Sequence, residues 1–276
     1  MKKLGATLFL VLSLWCSLDA GASTLVFGVS LGRYPGVTSD QQALAAYQPL
    51  VTWLEQKLQQ KIVLSGYRSY AELEKKLKDN IYSFAYTKVD VYARVRRVNP
   101  TVQPIAVVVT RDANGHEVNS YSSAIVSLKS NRAIQSVSDL KGKRIGFTNR
   151  ISASGFIYPV QYLKTKGMDY QKDLASHFFY GDDQPVIQAL LLKKIDAAAC
   201  WQGYLRLLPQ SEQKKINILI SIPRIPNPMY AASGRMSPAA QRRLAAVLVK
   251  APAALFSRLL YQRLAPVPEN FYAHVL

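Results

Sequence analysis

The chain has 276 residues and a formal net charge of +18, from 35 Lys and Arg against 17 Asp and Glu. That length suits one large or two modest lobes with ample core. The basic excess, spread along the chain, raises nucleic acid, an anionic ligand or an anionic surface as a partner, or else a plain solvated surface. No zinc-ligand spacing, helix-turn-helix signal or aromatic RNA-binding motif accompanies the charge, which argues against nucleic acid.

The N-terminus reads as a secretory leader over residues 1–22. Lys2 and Lys3 precede the apolar run Leu4 to Trp15, about a dozen residues and too short to span a bilayer. Ala20-Gly21-Ala22 fits the small-x-small cleavage pattern, so the exported chain would begin near Ser23. A retained anchor is one alternative. A lipoprotein site at Cys16 is another, weakened by Trp15 where a small residue belongs. Export also argues against nucleic acid and implies the periplasm. After cleavage Cys200 stands alone, so no internal disulfide forms. It lies in the apolar run Ile195 to Trp201 and reads as a small core residue.

Short strand-like runs then alternate with helical ones. Leu25 to Ser30 predicts a strand. Leu44, Tyr47, Val51, Leu54 and Leu58, at spacings of three and four, predict an amphipathic helix capped by Ser39 or Asp40. A strand at Ile62 to Ser65, a helix over Ser69 to Lys78, a strand at Tyr82 to Tyr86, a helix over Lys88 to Arg97 and a β-branched strand at Ile105 to Thr110 follow. This β-α-β-α-β order implies a mainly parallel sheet covered by helices. A turn at Asp112 to Gly115 leads to a strand at Tyr121 to Leu128. The alternation restarts with strands at Arg144 to Phe147, His177 to Tyr180, Ile195 to Cys200 and Ile216 to Ile222, and helices over Ser154 to Lys164 and Gln184 to Lys193. Helices over Pro238 to Val249 and Pro252 to Arg263 are expected to close the chain and pack back on the first unit. Two crossings, near Thr110 to Tyr121 and Ser221 to Tyr230, would join two lobes with a cleft between them.

The segment Asp139 to Pro159 carries the clearest chemistry. A strand runs into Ser152-Ala-Ser-Gly155, which opens a helix. Free backbone N–H groups, small hydroxyls and the positive end of the helix dipole meet there, and together they suit an anion. Plain helix capping by serine is the other reading. Catalysis finds little support. His116, His177 and His274 are scattered without partners at metal spacing, and Ser211-Glu-Gln-Lys214 lies in a polar loop without companion motifs. No metal or cofactor is implied.

Six passages together resemble the phosphate/phosphonate/phosphite-type substrate-binding proteins of ABC transporters. They are Tyr47-Gln-Pro-Leu50, Phe84-Ala-Tyr86, Asp139-Leu-Lys-Gly-Lys-Arg144, Ser152-Ala-Ser-Gly155 with Pro159 downstream, Lys194-Ile-Asp-Ala-Ala198, and the late run Ser221 to Pro228. The resemblance implies the α/β, two-lobe type II periplasmic binding protein fold, each lobe a mixed, mainly parallel sheet flanked by helices. Lobe 1 would comprise residues 23–112 and 222–276, and lobe 2 residues 113–221. The implied function is capture of a small anionic ligand for a membrane permease, by a monomer. The same fold serves periplasmic sensory modules that signal to a membrane kinase or cyclase, a second reading.

By the same resemblance Ser152, Ser154 and Gly155 bind phosphoryl oxygens, with Ala153 where the family usually has threonine. Tyr47 and Tyr86 match cleft-facing positions, with core packing the alternative for Tyr47, and Thr87 offers a further hydroxyl. Asp183 stands where phosphonate binders usually carry histidine. An ionised aspartate cannot donate to an oxyanion. So Asp183 pairs with a ligand amine, accepts from a protonated ligand, or merely caps the next helix. Asp196 either lines the cleft or satisfies neighbouring backbone. Arg33 can pair an anion or stay exposed, and Trp201 can wall the site or join the core.

Overall fold

The computed structural model describes residues 24–31, 37–112, 114–259 and 261–272. The expected leader, Cys16, Arg33 and His274 lie outside the described residues. In chain order the elements are β1 (Leu25–Ser30), α1 (Asp40–Leu58), β2 (Ile62–Tyr67), α2 (Tyr70–Lys78), β3 (Phe84–Thr87), α3 (Val89–Val98) and β4 (Gln103–Arg111). There follow β5 (Glu117–Val118), β6 (Ser120–Leu128), β7 (Arg144–Phe147), a π-helical turn at Ala153–Ile157 and α4 (Tyr158–Thr165). The remainder is β8 (Ser176–Phe179), α5 (Asp183–Leu191), β9 (Ala197–Trp201), α6 (Gln210–Gln213), β10 (Ile216–Pro226), β11 (Met229–Ala232), α7 (Pro238–Leu248) and β12 (Arg263–Ala265).

Two mixed sheets result, each flanked by helices. The first has the order β12-β4-β11-β3-β1-β2, with β5 paired to β4, and the second β10-β6-β9-β7-β8. Strands β2, β1 and β3 are parallel, as are β9, β7 and β8. The late strand β11 inserts antiparallel between β3 and β4, so the chain returns to its first sheet after building the second.

Helix α1 forms because Ala43, Ala46, Tyr47, Leu50, Val51, Leu54 and Leu58 make one buried stripe, and the Ser39 hydroxyl accepts the Gln42 N–H at its start. Each fully buried leucine there stabilises by about 1.5–3 kcal/mol. Leu244 and Leu248 of α7 join the same cluster on the α1 face, together with Phe27, Phe84 and Tyr230. On the opposite face of that sheet, α2 and α3 cover Ala85, Val107, Met229 and Ala231.

The chain end departs from expectation. In place of a helix over Pro252 to Arg263 there is a 3-10 turn at Ala253–Phe256, and β12 then adds an edge strand to β4. Phe256, Tyr261 and Leu264 reach the core by this route, and the Tyr261 and Tyr230 hydroxyls meet at 2.5 Å. Strand β11 was not expected either. It is four residues long and follows the proline-rich run directly.

Candidate functional site

The anion-suited turn is built first from its own backbone. Strand β7 ends at Phe147, and the Thr148 N–H donates to the Gly155 carbonyl at 3.2 Å. This folds the serine loop back over the strand end. The Ser152 hydroxyl accepts the Gly155 N–H at 3.1 Å, while the Phe156 and Ile157 N–H groups converge on the Ser152 carbonyl at 3.1 and 2.9 Å. The π-helical turn runs directly into α4, so its N-terminus carries the dipole of both. Ser152 therefore caps the turn, and Ser154 points elsewhere. The Ser154 side chain lies beside the Tyr121 phenol, and its carbonyl accepts the Ser123 hydroxyl at 2.5 Å. Thr148 Oγ1, packed beneath Gly155, is buried without a hydrogen-bond partner. An unpartnered buried hydroxyl costs about 1–3 kcal/mol.

The first sheet supplies the opposite wall from the loop after β3 and the start of α3. Lys88 precedes α3. Its ammonium donates to the Tyr70 hydroxyl at 2.6 Å, with the Tyr70 ring centroid 5.0 Å away. Burial pushes the Tyr70 phenol up to about 12, so it stays neutral near pH 7. Burial opposes the charge on Lys88, but Tyr70, Asp182 and Asp90 outweigh it and hold the ammonium well above its ordinary value. Asp90, two residues on, is buried. Its Oδ1 accepts the Val91 N–H at 2.9 Å and its Oδ2 accepts the Ala153 N–H at 3.2 Å, across to the serine turn. Burial raises the Asp90 carboxyl, while Lys88 and these N–H groups pull it back. The Ala153 methyl belongs to the same apolar cluster as Tyr70 and Tyr121.

The second sheet adds the loop before α5. The Asp182 carboxylate accepts the Asp183 N–H at 2.8 Å, so Asp182 caps the helix. Asp183 Oδ1 instead accepts the Trp201 N–H at 2.9 Å, at the end of β9. Burial raises the Asp183 carboxyl to about 6, with Asp182 adding to the rise and the Trp201 N–H and Lys88 opposing it. Trp201 is half-buried, with its indole packed over Gly203. Thr87 is buried, and its hydroxyl donates to the Lys88 carbonyl at 3.3 Å.

The structure thus brings Thr87, Ser152, Ser154, Gly155 and Asp183 to the junction of the two sheets, with Trp201 at its margin. Tyr47 and Tyr86 lie on the other face of the first sheet. Tyr47 packs edge-on to Phe27 at 5.7 Å in the α1 cluster, and Tyr86 stacks on Tyr261 at 6.1 Å. Asp196 lies at the N-terminal end of β9, whereas the serine turn follows the C-terminal end of β7. It receives Arg144 through Nη2 and Nε at 2.9 and 3.0 Å, and the Arg144 N–H at 2.9 Å. Lys88, Asp90, Tyr70 and Tyr121 gather at the same junction, and the sequence reading missed them. A lysine and an aspartate flanking a helix start are common, and only the fold sets them against the serine turn. Among the described residues no group of three His, Cys, Asp or Glu side chains converges on a metal position, and no helix is long and apolar enough to cross a membrane.

Two sheets joined by crossing strands, with a hydroxyl-rich helix start and a lysine at their junction, define a two-lobed ligand-binding protein of the type II periplasmic class. Residues 35–267 match the family of ABC transporter phosphonate periplasmic substrate-binding proteins, and the chain belongs to that family. The family is a substrate-binding transport component and not an enzyme. No curated protein matches the sequence. The fold is similar to that of XAC2383 from Xanthomonas citri bound to ATP, with 15% identity, a TM-score of 0.74, and 92% of this chain and 97% of that one covered. It is also similar to PhnD1 from Prochlorococcus marinus in complex with methylphosphonate, at 15% identity and a TM-score of 0.73 over 91% and 95% of the two chains. A third similar structure is the binding protein component of an ABC phosphonate transporter from Pseudomonas aeruginosa, at 14% identity and 0.71, over 92% and 84%.

Proposed function

We propose that this protein is an exported, monomeric, periplasmic solute-binding protein that closes two lobes over a small phosphonate- or phosphate-like anion and delivers it to an ABC permease. The lobes would be residues 23–112 with 222–276, and residues 113–221, behind a leader at 1–22. The observation that carries the ligand class is the Ser152–Gly155 turn at the start of a helix, with the half-buried Lys88 beside the Asp90 carboxylate that accepts the Ala153 N–H. Ser154 and the turn's backbone would receive the oxyanion, with Tyr121 and Thr87 adding hydroxyls. Lys88 would supply the countercharge.

Asp183 fits this reading as a selectivity element. Its raised carboxyl protonates easily, so it can donate to a ligand oxygen or pair with a ligand amine when ionised. Trp201 would contribute as an apolar wall. Calorimetric titration with inorganic phosphate, methylphosphonate, phosphite and sulfate tests the ligand class. Saturable heat from at least one of the phosphorus oxyanions is expected, and no heat from any of them would remove it.

A further inference from the structure

The Asp90–Ala153 contact joins the two sheets at the point where the serine turn presents its first N–H. Asp90 sits in the first turn of α3, on the first sheet, and Ala153 follows β7 of the second. Asp90 is 8% exposed, and both its carboxylate oxygens are engaged by backbone N–H groups. A buried carboxylate at the positive end of a helix does what a bound oxyanion would do there. The surroundings complete the resemblance to a filled site. Lys88 stands at the start of α3, Tyr70 approaches from α2, and Tyr121 from β6. Beneath the turn, the unpartnered Thr148 hydroxyl marks polar capacity that the protein's own groups leave unused.

We propose that Asp90 is an internal occupant of the anion-binding turn, which a ligand oxygen must displace from the Ala153 N–H, and that it thereby sets the affinity and charge selectivity of the site. This rests on the oxyanion reading above. It also gives Ala153 a physical role. A threonine there would set a hydroxyl into the apolar cluster that the alanine methyl completes, beside a carboxylate that already takes the backbone donor. Ligands that bring a single negative charge replace Asp90 at no net change in charge on the turn. Ligands that bring two are disfavoured while Asp90 stays ionised nearby.

The test uses the full chain and two probes, inorganic phosphate and methylphosphonate, titrated calorimetrically into the unmutated protein, Asp90→Asn and Asp90→Ala at neutral pH. Asparagine keeps the shape but leaves one acceptor oxygen for the two N–H donors and removes the charge, and affinity is expected to rise by about tenfold or more in both variants, as for removal of a charged competitor from a hydrogen-bonded position. In the unmutated protein, saturating phosphate should also shift the Ala153 amide and the Asp90 carboxyl carbon in NMR spectra, a readout that does not depend on how the variants fold. Binding of the probes with Asp90→Asn equal to or weaker than the unmutated protein overturns the inference and leaves the oxyanion reading standing. So do an unmoved Asp90 carboxyl carbon and Ala153 amide at saturation. No uptake of either probe by any of the three proteins overturns both.

Discussion

Gly155 lies so close to Thr148 that a Cβ on Gly155 would meet Thr148 Oγ1 at 1.9 Å and Cγ2 at 2.5 Å. The glycine is required by space, since the serine turn can fold onto the end of β7 only if this position carries no side chain. Gly155→Ala is expected to lower stability by about 1–3 kcal/mol, the usual range for overpacking a closed site. Urea unfolding measures this, and an unchanged midpoint would contradict the close approach.

Ser154→Ala should weaken phosphate or methylphosphonate binding by about 1.5–3 kcal/mol, the range for a hydrogen bond to a charged group. Ser152→Ala acts differently because the Ser152 hydroxyl is spent on the Gly155 N–H. It should cost about 1 kcal/mol of stability as a lost cap. Paired calorimetry and urea unfolding on the two variants separate the roles. Equal effects on both quantities would show that the hydroxyls are not divided in this way.

Asp196 and Arg144 make a forked pair at the N-terminal ends of β7 and β9, away from the serine turn. Hydrogen bonds from Arg144 hold the Asp196 carboxyl below its ordinary range. A carboxyl lowered in the folded state adds stability above its unfolded pKa, and that stability is lost as pH falls through the folded value. Asp196→Asn should therefore lower the melting temperature by a few degrees at pH 7 and leave oxyanion affinity unchanged. The gap in melting temperature should close in acid. A large loss of affinity would bring Asp196 back into the site.

Asp183 behaves in the opposite sense. Its carboxyl is raised to about 6 by burial, so the folded protein takes up this proton more readily than the unfolded chain does. Stability then falls as pH rises from the unfolded carboxyl pKa to about 6, and the cost persists above that value. Asp183→Asn, which can still accept the Trp201 N–H, should stabilise the protein by about 1–2 kcal/mol at pH 8 and by little at pH 4. Denaturant unfolding at the two pH values reads the difference, and a stabilisation that is the same at both would contradict it.

Much of the fold was legible because it follows local rules. The stripe from Ala43 to Leu58 defines α1, Ser39 and Ser69 mark two helix starts, and Arg144 to Phe147 reads as a strand and is one. The elements that escaped depend on distant partners. Strand β11 becomes a strand because β3 and β4 leave a gap for it, and β12 because β4 offers an edge. The last apolar run has helical spacing, yet its residues reach the core through a 3-10 turn and a short strand.

The site divides along the same line. The serine turn is a local motif and stands out in the sequence. Tyr86 illustrates the limit, because alternation along β3 sends Phe84 and Tyr86 to the α1 face, while Ala85 faces the α2 and α3 side that packs on Ala153. Asp90 is 63 positions from Ala153, and nothing in the residues near either one announces their contact.

The central claim is that the turn opening the helix at Ser152 receives an oxyanion facing Lys88. Amide NMR spectra of the full chain, recorded while methylphosphonate is added, test it most directly. Saturable shifts should centre on Ser154 and Gly155 and extend to Lys88 and Tyr121, and Lys88→Gln should reduce them. Saturable binding whose shifts lie elsewhere and spare Ser154 and Gly155 would contradict the account.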